Sequence, residues 1–170
     1  MAKTVADDII LCSASESNSP AFTITCGEAA SQTFKKGWIV SNAGTGYVSD
    51  PASDTPTAIL GVAEEDAHNV STATATEICV AIANGTNVFS ANVKQSSLAD
   101  HVLAQSDLLT TMAIQRDTTN NRIFLNASTK AGANCRVFTL RTAQNTDIGD
   151  TNGRVLFIFL PNFAQSMGTS

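Results

Sequence analysis

The sequence is poor in charged residues, aromatic residues and histidine. Only 15% of its 170 residues are Asp, Glu, Lys or Arg, against about 25% in an average soluble domain. Aromatic residues make up 6%, with one Trp and one Tyr, and there are two histidines. A surface with so little charge must be covered largely by Ser, Thr, Asn and Ala. This composition is typical of β-rich proteins and of proteins that are held in an assembly.

Long apolar segments are also missing. No stretch approaches the roughly 20 apolar residues of a membrane-spanning helix, and the run from Ile9 to Cys12 is far shorter than the core of a signal peptide. We therefore expect no membrane partner and synthesis in the cytoplasm without export. The net charge of −5 argues against nucleic acid as a partner, because neutralising phosphates requires a basic stripe.

The four cysteines are spaced too widely for a CxxC metal site or a dense disulfide framework. Cys79 and Cys135 lie in or beside apolar runs, where a free thiol behaves as a small buried hydrophobic group. The other two cysteines, Cys12 and Cys26, could instead form a disulfide with each other. Synthesis in a reducing cytosol disfavours that bridge.

Catalytic motifs are absent from the sequence, including the GxSxG, P-loop, GxGxxG and HExxH patterns. Glu64-Glu-Asp-Ala-His68 has the composition of a weak cation site, but neighbouring side chains of an extended chain point to opposite faces, which favours a solvated turn. The segment 147–153 has the composition of a calcium loop without its terminal Glu, and we interpret it as a turn. We predict a protein that is not an enzyme and has no catalytic, metal-binding or cofactor-binding residues.

Charge is distributed unevenly along the chain. Residues 1–90 contain ten acids and three lysines, a net charge of −7, whereas residues 91–170 contain five acids and seven bases, a net charge of +2. All five arginines lie in the second part. Arginine is favoured at partly desolvated interfaces, because its planar guanidinium group keeps its charge and its hydrogen-bond donors there. We therefore take four arginines as candidates for a subunit or capsid interface: Arg116, Arg122, Arg136 and Arg141. The alternative is that they lie on solvated strand faces.

Short segments with β-type patterns, separated by turn residues, recur through the chain. Ile78, Val80 and Ile82 alternate on one face, and the apolar run 154–160 predicts a central strand covered on both faces. Asn84-Gly85 predicts a β-hairpin, and residues 117–121 predict a second hairpin loop. The segment 96–105 is the one helical candidate, with a Ser start and apolar residues Leu98, Val102 and Leu103.

These elements predict an all-β fold, a compact antiparallel β-barrel or β-sandwich with one short helix. The domain is expected to span residues 21–170, preceded by an extended N-terminal arm at residues 1–20. The apolar group Ile9, Ile10 and Leu11 within this arm is a candidate for contact with a neighbouring subunit. A frayed terminus or a simple edge strand is the alternative.

Two isolated aromatic residues complete the interface candidates. Trp38 is the only tryptophan, and tryptophan in a sheet protein belongs more often to the core than to an interface, where it would act as an anchor. Phe163 follows the last predicted strand, in a tail that either packs on a neighbour or frays.

Three segments carry a resemblance to a known family: Lys35-Lys-Gly-Trp-Ile-Val40, Ala58-Ile-Leu-Gly-Val-Ala63 and the stretch from Glu77 to Val93. In order and spacing they resemble the small decoration, or cement, proteins on the heads of tailed bacteriophages. In those proteins a KKG turn enters a strand, an ILGVA strand follows, and a hairpin closes the unit. The resemblance covers about residues 30–95 and includes no catalytic motif.

The resemblance implies a structural role. We expect a protein of the virion, synthesised in the cytoplasm of a bacterial host, that binds the outer surface of the capsid as a homotrimer. Its partners would be the major capsid protein and its own copies, with no cofactor. The alternatives are another β-rich virion component, such as a tail or fibre-base protein, and a carbohydrate-binding or adhesive β-sandwich. An adhesive protein would expose aromatic residues along a groove, and Trp38 and Tyr47 are the only candidates for that role.

Overall fold

The structure is a computed structural model that describes residues 9–11, 22–42, 44–51, 53–69, 71–73, 77–117, 119, 122–129, 133, 135–139, 148–161 and 164, with the backbone alone at 10, 11, 138 and 139. Its strands are β1 (Ile10–Leu11), β2 (Thr23–Gly27), β3 (Ile39–Asn42), β4 (Val48–Ser49), β5 (Gly61–Ala63), β6 (Glu77–Ile82), β7 (Phe89–Lys94), β8 (Thr111–Asp117), β9 (Arg122–Asn126), β10 (Cys135–Thr139) and β11 (Arg154–Phe159). The predicted all-β fold is confirmed.

Five of the later strands form a closed barrel. Their order is β7-β11-β10-β8-β9, and β9 returns to β7. The closing ladder is parallel, with Val93 opposite Leu125 and Lys94 opposite Asn126, while the other ladders of the ring are antiparallel. Closure removes the unpaired edges that an open sheet would present.

The earlier strands form a second, antiparallel sheet in the order β2-β6-β5-β3-β4. The chain beyond β2 curls back to β4, where Glu28 and Val48 form a parallel bridge. The backbone N–H of Ala29 donates to the carbonyl oxygen of Val48 at 2.9 Å. The two ends of this sheet are therefore joined as well.

One hydrophobic core is shared by the two sheets. At the barrel side, the rings of Phe89, Phe157 and Phe159 pack against each other with centroids 5.1–5.8 Å apart, within the range of favourable aromatic pairs. From the second sheet come Ile78, Val80 and Ile82, all buried as their alternation predicts.

Most of the predicted strands are present. The β8–β9 hairpin is present, with Asp117, the first residue of the predicted loop 117–121, ending β8 and pairing with Arg122 at the start of β9. Strand β11 lies between β7 and β10, with five of its six residues buried. This is the central strand that the apolar run indicates.

The predicted helix is reduced to two single 3-10 turns, Ser96–Leu98 and Gln105–Asp107. Ser97 and Leu98 have φ angles of 59° and 62°, in the left-handed region, so the first turn cannot continue as a right-handed helix. Among the described residues there is no α-helix.

The predicted hairpin at Asn84-Gly85 is wrong. Strand β6 pairs with β2 and β5, while β7 pairs in the barrel, so the turn carries the chain from one sheet to the other. A two-residue hairpin of this sequence needs positive φ at both turn positions, and neither Asn84 nor Gly85 has one. Instead, the Oδ1 atom of Asn84 accepts hydrogen bonds from the backbone N–H groups of Thr86 and Asn87 at 3.0 and 2.6 Å.

The described part of the N-terminal arm, residues 9–11, lies on the chain's own domain. Ile10 and Leu11 pair with β7 as an edge strand, and the side chain of Ile9 is buried in the core. The alternative of a simple edge strand is therefore correct for these residues, and Ile9 is a core residue instead of an interface residue. The rest of the predicted arm lies outside the described residues.

Gly61 lies in β5, where a β-carbon would collide with the neighbouring strand. A methyl group there would lie 2.7 Å from Cγ1 of Val80 and 2.9 Å from the carbonyl carbon of Ala81. We expect Gly61→Ala to lower the free energy of unfolding by about 2–3 kcal/mol, measured by urea denaturation.

The matched control is Gly85→Ala, because a β-carbon at Gly85 meets nothing within 4 Å. This variant should unfold within about 0.5 kcal/mol of the parent chain. An equal decrease in the free energy of unfolding in the two variants would contradict the close packing of β5 against β6.

Candidate interaction surface

Residues 95–110, which we call the connecting segment, join β7 to β8 without forming a strand or an α-helix. Besides Ser97 and Leu98, Leu109 also has a positive φ, at 60°. Left-handed backbone is unfavourable for bulky residues and persists only where the surroundings enforce it. The contacts beneath the segment therefore determine its shape.

A polar network lies beneath the connecting segment, in which Asn92, Lys94 and Asn152 are buried and Asp100 is exposed. The Lys94 Nζ atom is 4.0 Å from Oδ1 of Asp100, and the same oxygen accepts a hydrogen bond from Nδ2 of Asn152 at 2.6 Å. Nδ2 of Asn92 donates to the carbonyl oxygen of Asn152 at 2.7 Å. These contacts connect β7, the connecting segment and the turn before β11.

Arg154 extends this network along the barrel wall. Its Nε and Nη2 atoms donate to the side-chain and backbone oxygens of Ser90 at 3.1 and 2.9 Å, and Nη1 donates to Oδ1 of Asn92 at 3.0 Å. The residue is buried. Such charge-assisted bonds are stronger than neutral ones, and losing a partner would leave a buried charge unsatisfied.

An imidazole–carboxylate pair fixes the second half of the segment. The Nε2 atom of His101 lies 2.9 Å from Oδ2 of Asp107, which also accepts the backbone N–H of Ala104 at 2.9 Å. The backbone N–H of His101 donates to Oδ1 of Asn152 at 3.1 Å. His101 thus holds the segment to the polar network.

The segment and its neighbouring turn display large apolar side chains. Val102, Leu109 and Ile148 are 55–66% exposed. Val102 bridges to Thr151, and the backbone N–H of Gly149 donates to the carbonyl oxygen of Leu103 at 2.7 Å. Exposed apolar groups on backbone that is held in place are suited to contact with another protein.

Sequence reasoning missed these residues for a physical reason. Leu109 belongs to a two-residue apolar pair with Leu108, and Ile148 is a single apolar residue among polar ones, so no periodicity singles them out. Val102 is one of the apolar residues of the predicted helix 96–105, which does not form. In irregular backbone, tertiary contacts decide which side chains are exposed. A periodic sequence pattern therefore cannot predict these positions.

Two of the predicted interface residues meet inside the protein. The guanidinium carbon of Arg116 lies 4.8 Å from the ring centroid of Trp38, and Nη1 is 2.5 Å from Oδ1 of Asp50. Trp38 and Arg116 are both at least nine-tenths buried. They therefore connect the barrel to the second sheet, and the core interpretation of Trp38 is correct.

The other interface candidates are placed separately. Arg136 is exposed on β10, and Arg122 is half-buried on β9. The backbone of Ile10 and Leu11 lies beside β7. Arg141 and Phe163 lie outside the described residues.

The acidic segment 64–68 is a turn whose side chains anchor other backbone groups. Oε1 of Glu65 accepts the N–H of Cys79 at 2.7 Å. The N–H of Lys36 and the ammonium of Lys35 bind Asp66 and lower the pKa of its carboxyl group. Among the described residues, no group of three acid, His or Cys side chains is placed to hold a metal ion.

His68 in this segment pairs with a carboxylate that the sequence does not single out. Glu28 is fully buried, and its Oε2 atom lies 2.9 Å from Nδ1 of His68 and accepts the His68 backbone N–H at 2.9 Å. Because Glu28 also forms the bridge that joins the ends of the second sheet, the pair fixes that junction. The scattered sequence positions of the two residues give no indication of it.

None of the described cysteines, Cys26, Cys79 and Cys135, is in a disulfide. Cys135 is buried and Cys79 is half-buried, and burial raises the pKa of Cys135 well above its ordinary value. Burial, and then the nearby Cys79, raise the pKa of Cys26. High pKa values favour the unreactive thiol form. Cys12 lies outside the described residues.

The ion pair of Arg116 and Asp50 tests whether Arg116 acts inside the protein. Burial raises the pKa of Asp50, and Arg116 opposes that rise through its charge and hydrogen bond. In Arg116→Met the pKa of Asp50 should rise further. The free energy of unfolding should fall by about 2 kcal/mol at neutral pH. A carboxyl group whose pKa is higher in the folded state stabilises that state below the unfolded pKa, and the contribution is lost as pH rises through the folded pKa. The loss should therefore be larger at neutral pH than at about pH 4, near the ordinary pKa of Asp.

Urea denaturation at the two pH values, with a carboxyl-carbon NMR titration of Asp50, measures both effects. The double variant Asp50→Asn/Arg116→Met is the control, because it removes the buried carboxylate and should lose the added pH dependence. An Arg116→Met variant with the pH profile of the parent chain would contradict the assignment.

Comparison with protein-family models, with curated proteins and with solved structures finds no match to this chain. Among the described residues, no helix has the length and apolar content to cross a membrane.

Proposed function

We propose that this chain is a decoration protein of a bacteriophage head. It binds the outer surface of the capsid as a homotrimer and stabilises the shell by bridging capsid subunits. The action is mechanical: many copies each add a modest interface, and the sum increases the stability of the shell. The protein is synthesised in the host cytoplasm and resides in the virion.

The observation that carries the proposal is the arrangement of the three segments that resemble decoration proteins. Gly37 of the KKG turn has a φ of 83°, and its N–H donates to the carbonyl oxygen of Ala63 at 2.8 Å. Strand β3 then pairs with β5, and β5 pairs with β6. The three segments are thus adjacent strands of one sheet, and the last of them continues into the barrel as β7.

The connecting segment supplies a second line of support. Binding costs free energy when loops and side chains must be ordered at the interface, and prior ordering reduces that cost. The polar network and the pair of His101 and Asp107 already hold the backbone that displays Val102 and Leu109. A surface of this kind suits repeated docking in one geometry.

The position of Trp38 disfavours the carbohydrate-binding alternative. A sugar-binding groove stacks exposed aromatic rings against its ligand, and the ring of Trp38 is buried beneath Arg116. Tyr47 is half-buried. A tail or fibre-base protein stays as the second candidate, because a β-rich fold serves those assemblies equally well.

The deciding experiment is quantitative mass spectrometry of gradient-purified virus particles, with the major capsid protein as the internal reference. A ratio near one to one supports a decoration protein. A trace ratio would instead indicate a tail or fibre component, and absence from the particles would contradict both assignments.

Arg136 is the exposed one among the arginine candidates that the structure describes, so charge reversal there tests the capsid interface. We expect Arg136→Glu to weaken binding to particles about tenfold or more and to unfold within about 0.5 kcal/mol of the parent chain. The measurement is co-sedimentation with particles that lack the protein, beside urea denaturation.

Lys36→Glu is the matched control, since Lys36 is also an exposed base but lies in the turn before β3, away from β10. If Arg136→Glu binds particles as well as this control and the parent chain, Arg136 belongs to the solvated surface.

A further inference from the structure

An amine, a carboxylate and a carboxamide meet where β7 ends beneath the connecting segment. The ladder of β7 and β11 continues to a hydrogen bond in which the backbone N–H of Val93 donates to the carbonyl oxygen of Gly153 at 3.0 Å. One residue further in the same register, Lys94 lies opposite Asn152. Opposite residues of an antiparallel pair have β-carbons about 5 Å apart. The amine of Lys94 is therefore within reach of the Asn152 side chain.

One oxygen atom of Asp100 connects the amine to the amide. Its Oδ1 atom lies 4.0 Å from Nζ of Lys94 and accepts a hydrogen bond from Nδ2 of Asn152 at 2.6 Å. Lys94 and Asn152 are 6% and 9% exposed, whereas the side chain of Asp100 is 71% exposed. The amine and the amide are thus shielded from water, while the carboxylate between them can exchange protons with solvent.

The backbone of His101 fixes the orientation of the Asn152 amide. The N–H of His101 donates to Oδ1 of Asn152 at 3.1 Å, and the N–H of Asn152 donates to the carbonyl oxygen of His101 at 2.7 Å. The amide therefore presents its oxygen to a hydrogen-bond donor and its nitrogen to a carboxylate. Attack on an amide carbon requires both, because negative charge develops on the oxygen and the nitrogen must be protonated before it leaves.

We propose that Lys94 and Asn152 form an intramolecular isopeptide bond, with Asp100 as the proton carrier. Asp100 accepts a proton from the Lys94 ammonium group, and the uncharged Nζ atom attacks Cγ of Asn152. The flexible stem of the lysine side chain lets Nζ reach that carbon. The N–H of His101 stabilises the oxyanion of the tetrahedral intermediate.

The reaction balances without a further reactant. The bond between Cγ and Nδ2 of Asn152 breaks with its electron pair on the nitrogen, Asp100 returns its proton to that nitrogen, and ammonia leaves. One of the two protons on the attached Nζ atom then passes to Asp100 and from there to solvent. No electron is gained or lost, so no oxidant is needed. Each chain reacts once, and the reaction is not enzymatic turnover.

The bond ties the end of β7 to the turn before β11 and closes a loop of residues 94–152. A covalent link of this kind stabilises the folded state mainly by restricting the unfolded chain, and the effect grows with the length of the loop. The barrel would then resist unfolding even where its hydrogen bonds open. The inference does not depend on the role of the chain in a virion.

Mass spectrometry of the purified full chain tests the proposal. We expect an intact mass below that of the unlinked chain by one ammonia, about 17 Da. A protease digest should contain one branched peptide that joins Lys94 to Asn152. An intact mass equal to that of the unlinked chain, with the two residues in separate peptides, would overturn the proposal.

Lys94→Arg identifies the nucleophile, because a guanidinium group keeps the positive charge beside Asp100 but stays protonated and does not attack amides. The loss of ammonia should disappear. Lys36→Arg is the matched control at an exposed lysine in the turn before β3, and it should keep the branched peptide. Asn152 can also lose ammonia by cyclising onto the backbone nitrogen of Gly153. A loss that persists in Lys94→Arg would assign it to that cyclisation and overturn the proposal.

Asp100→Asn tests the proton carrier, and it decides the matter if Lys94→Arg does not fold, because Asp100 is exposed. In chains made by cell-free synthesis and sampled over time, the branched peptide should form at least about a hundredfold more slowly. Asp54→Asn, at an exposed carboxylate in the loop between β4 and β5, should react at the rate of the parent chain. Equal rates for Asp100→Asn and the parent chain would overturn the role of Asp100.

Discussion

Strand β7 is buried on both faces, and the architecture depends on how each face is covered. Phe89, Ala91 and Val93 point into the shared core, where the hydrophobic effect stabilises them. Ser90, Asn92 and Lys94 point the other way and are also buried, although they are polar. A polar face can be buried only if its hydrogen-bonding groups find partners. Arg154, Asn152 in the turn before β11, and Asp100 of the connecting segment supply those partners.

This requirement explains why an irregular segment has a fixed shape. A run without a strand or an α-helix has no repeating hydrogen bonds of its own, so its conformation is set by the groups beneath it. Asn152 contacts Asp100, His101 and Asn92, joining the turn before β11 to the segment and to β7. The left-handed residues Ser97 and Leu98 follow from the path that these contacts impose. The exposed positions of Val102 and Leu109 are thus a consequence of the buried face of β7.

Sequence patterns predicted the parts of the structure that depend on burial of apolar side chains and missed the parts that depend on tertiary contacts. Patterns that depend on burial of apolar side chains predicted β6 and β11, because alternation and run length report which face is covered. The β8–β9 hairpin was predicted from the turn residues 117–121. Asn84-Gly85 misled because its residues favour a hairpin turn locally, whereas the pairing of β6 and β7 with different sheets is a tertiary property. Lys94 could not be identified as buried, since a lysine in a strand ordinarily indicates solvent. The connecting segment that covers Lys94 reverses that expectation.

The same burial changes what the charge pattern means. From the sequence, residues 91–170 have a small excess of positive charge. In the structure, Arg116 neutralises Asp50 from the acidic part of the chain, and Lys94 and Arg154 are enclosed. The surface of the second part is therefore less basic than its composition indicates. A surface with few free charges gains little from long-range steering, so the proposed recognition would depend on short-range contacts from residues such as Leu109, Val102 and Arg136. The proposed shell-binding role can use such contacts because the many equivalent sites on a capsid multiply a modest local affinity.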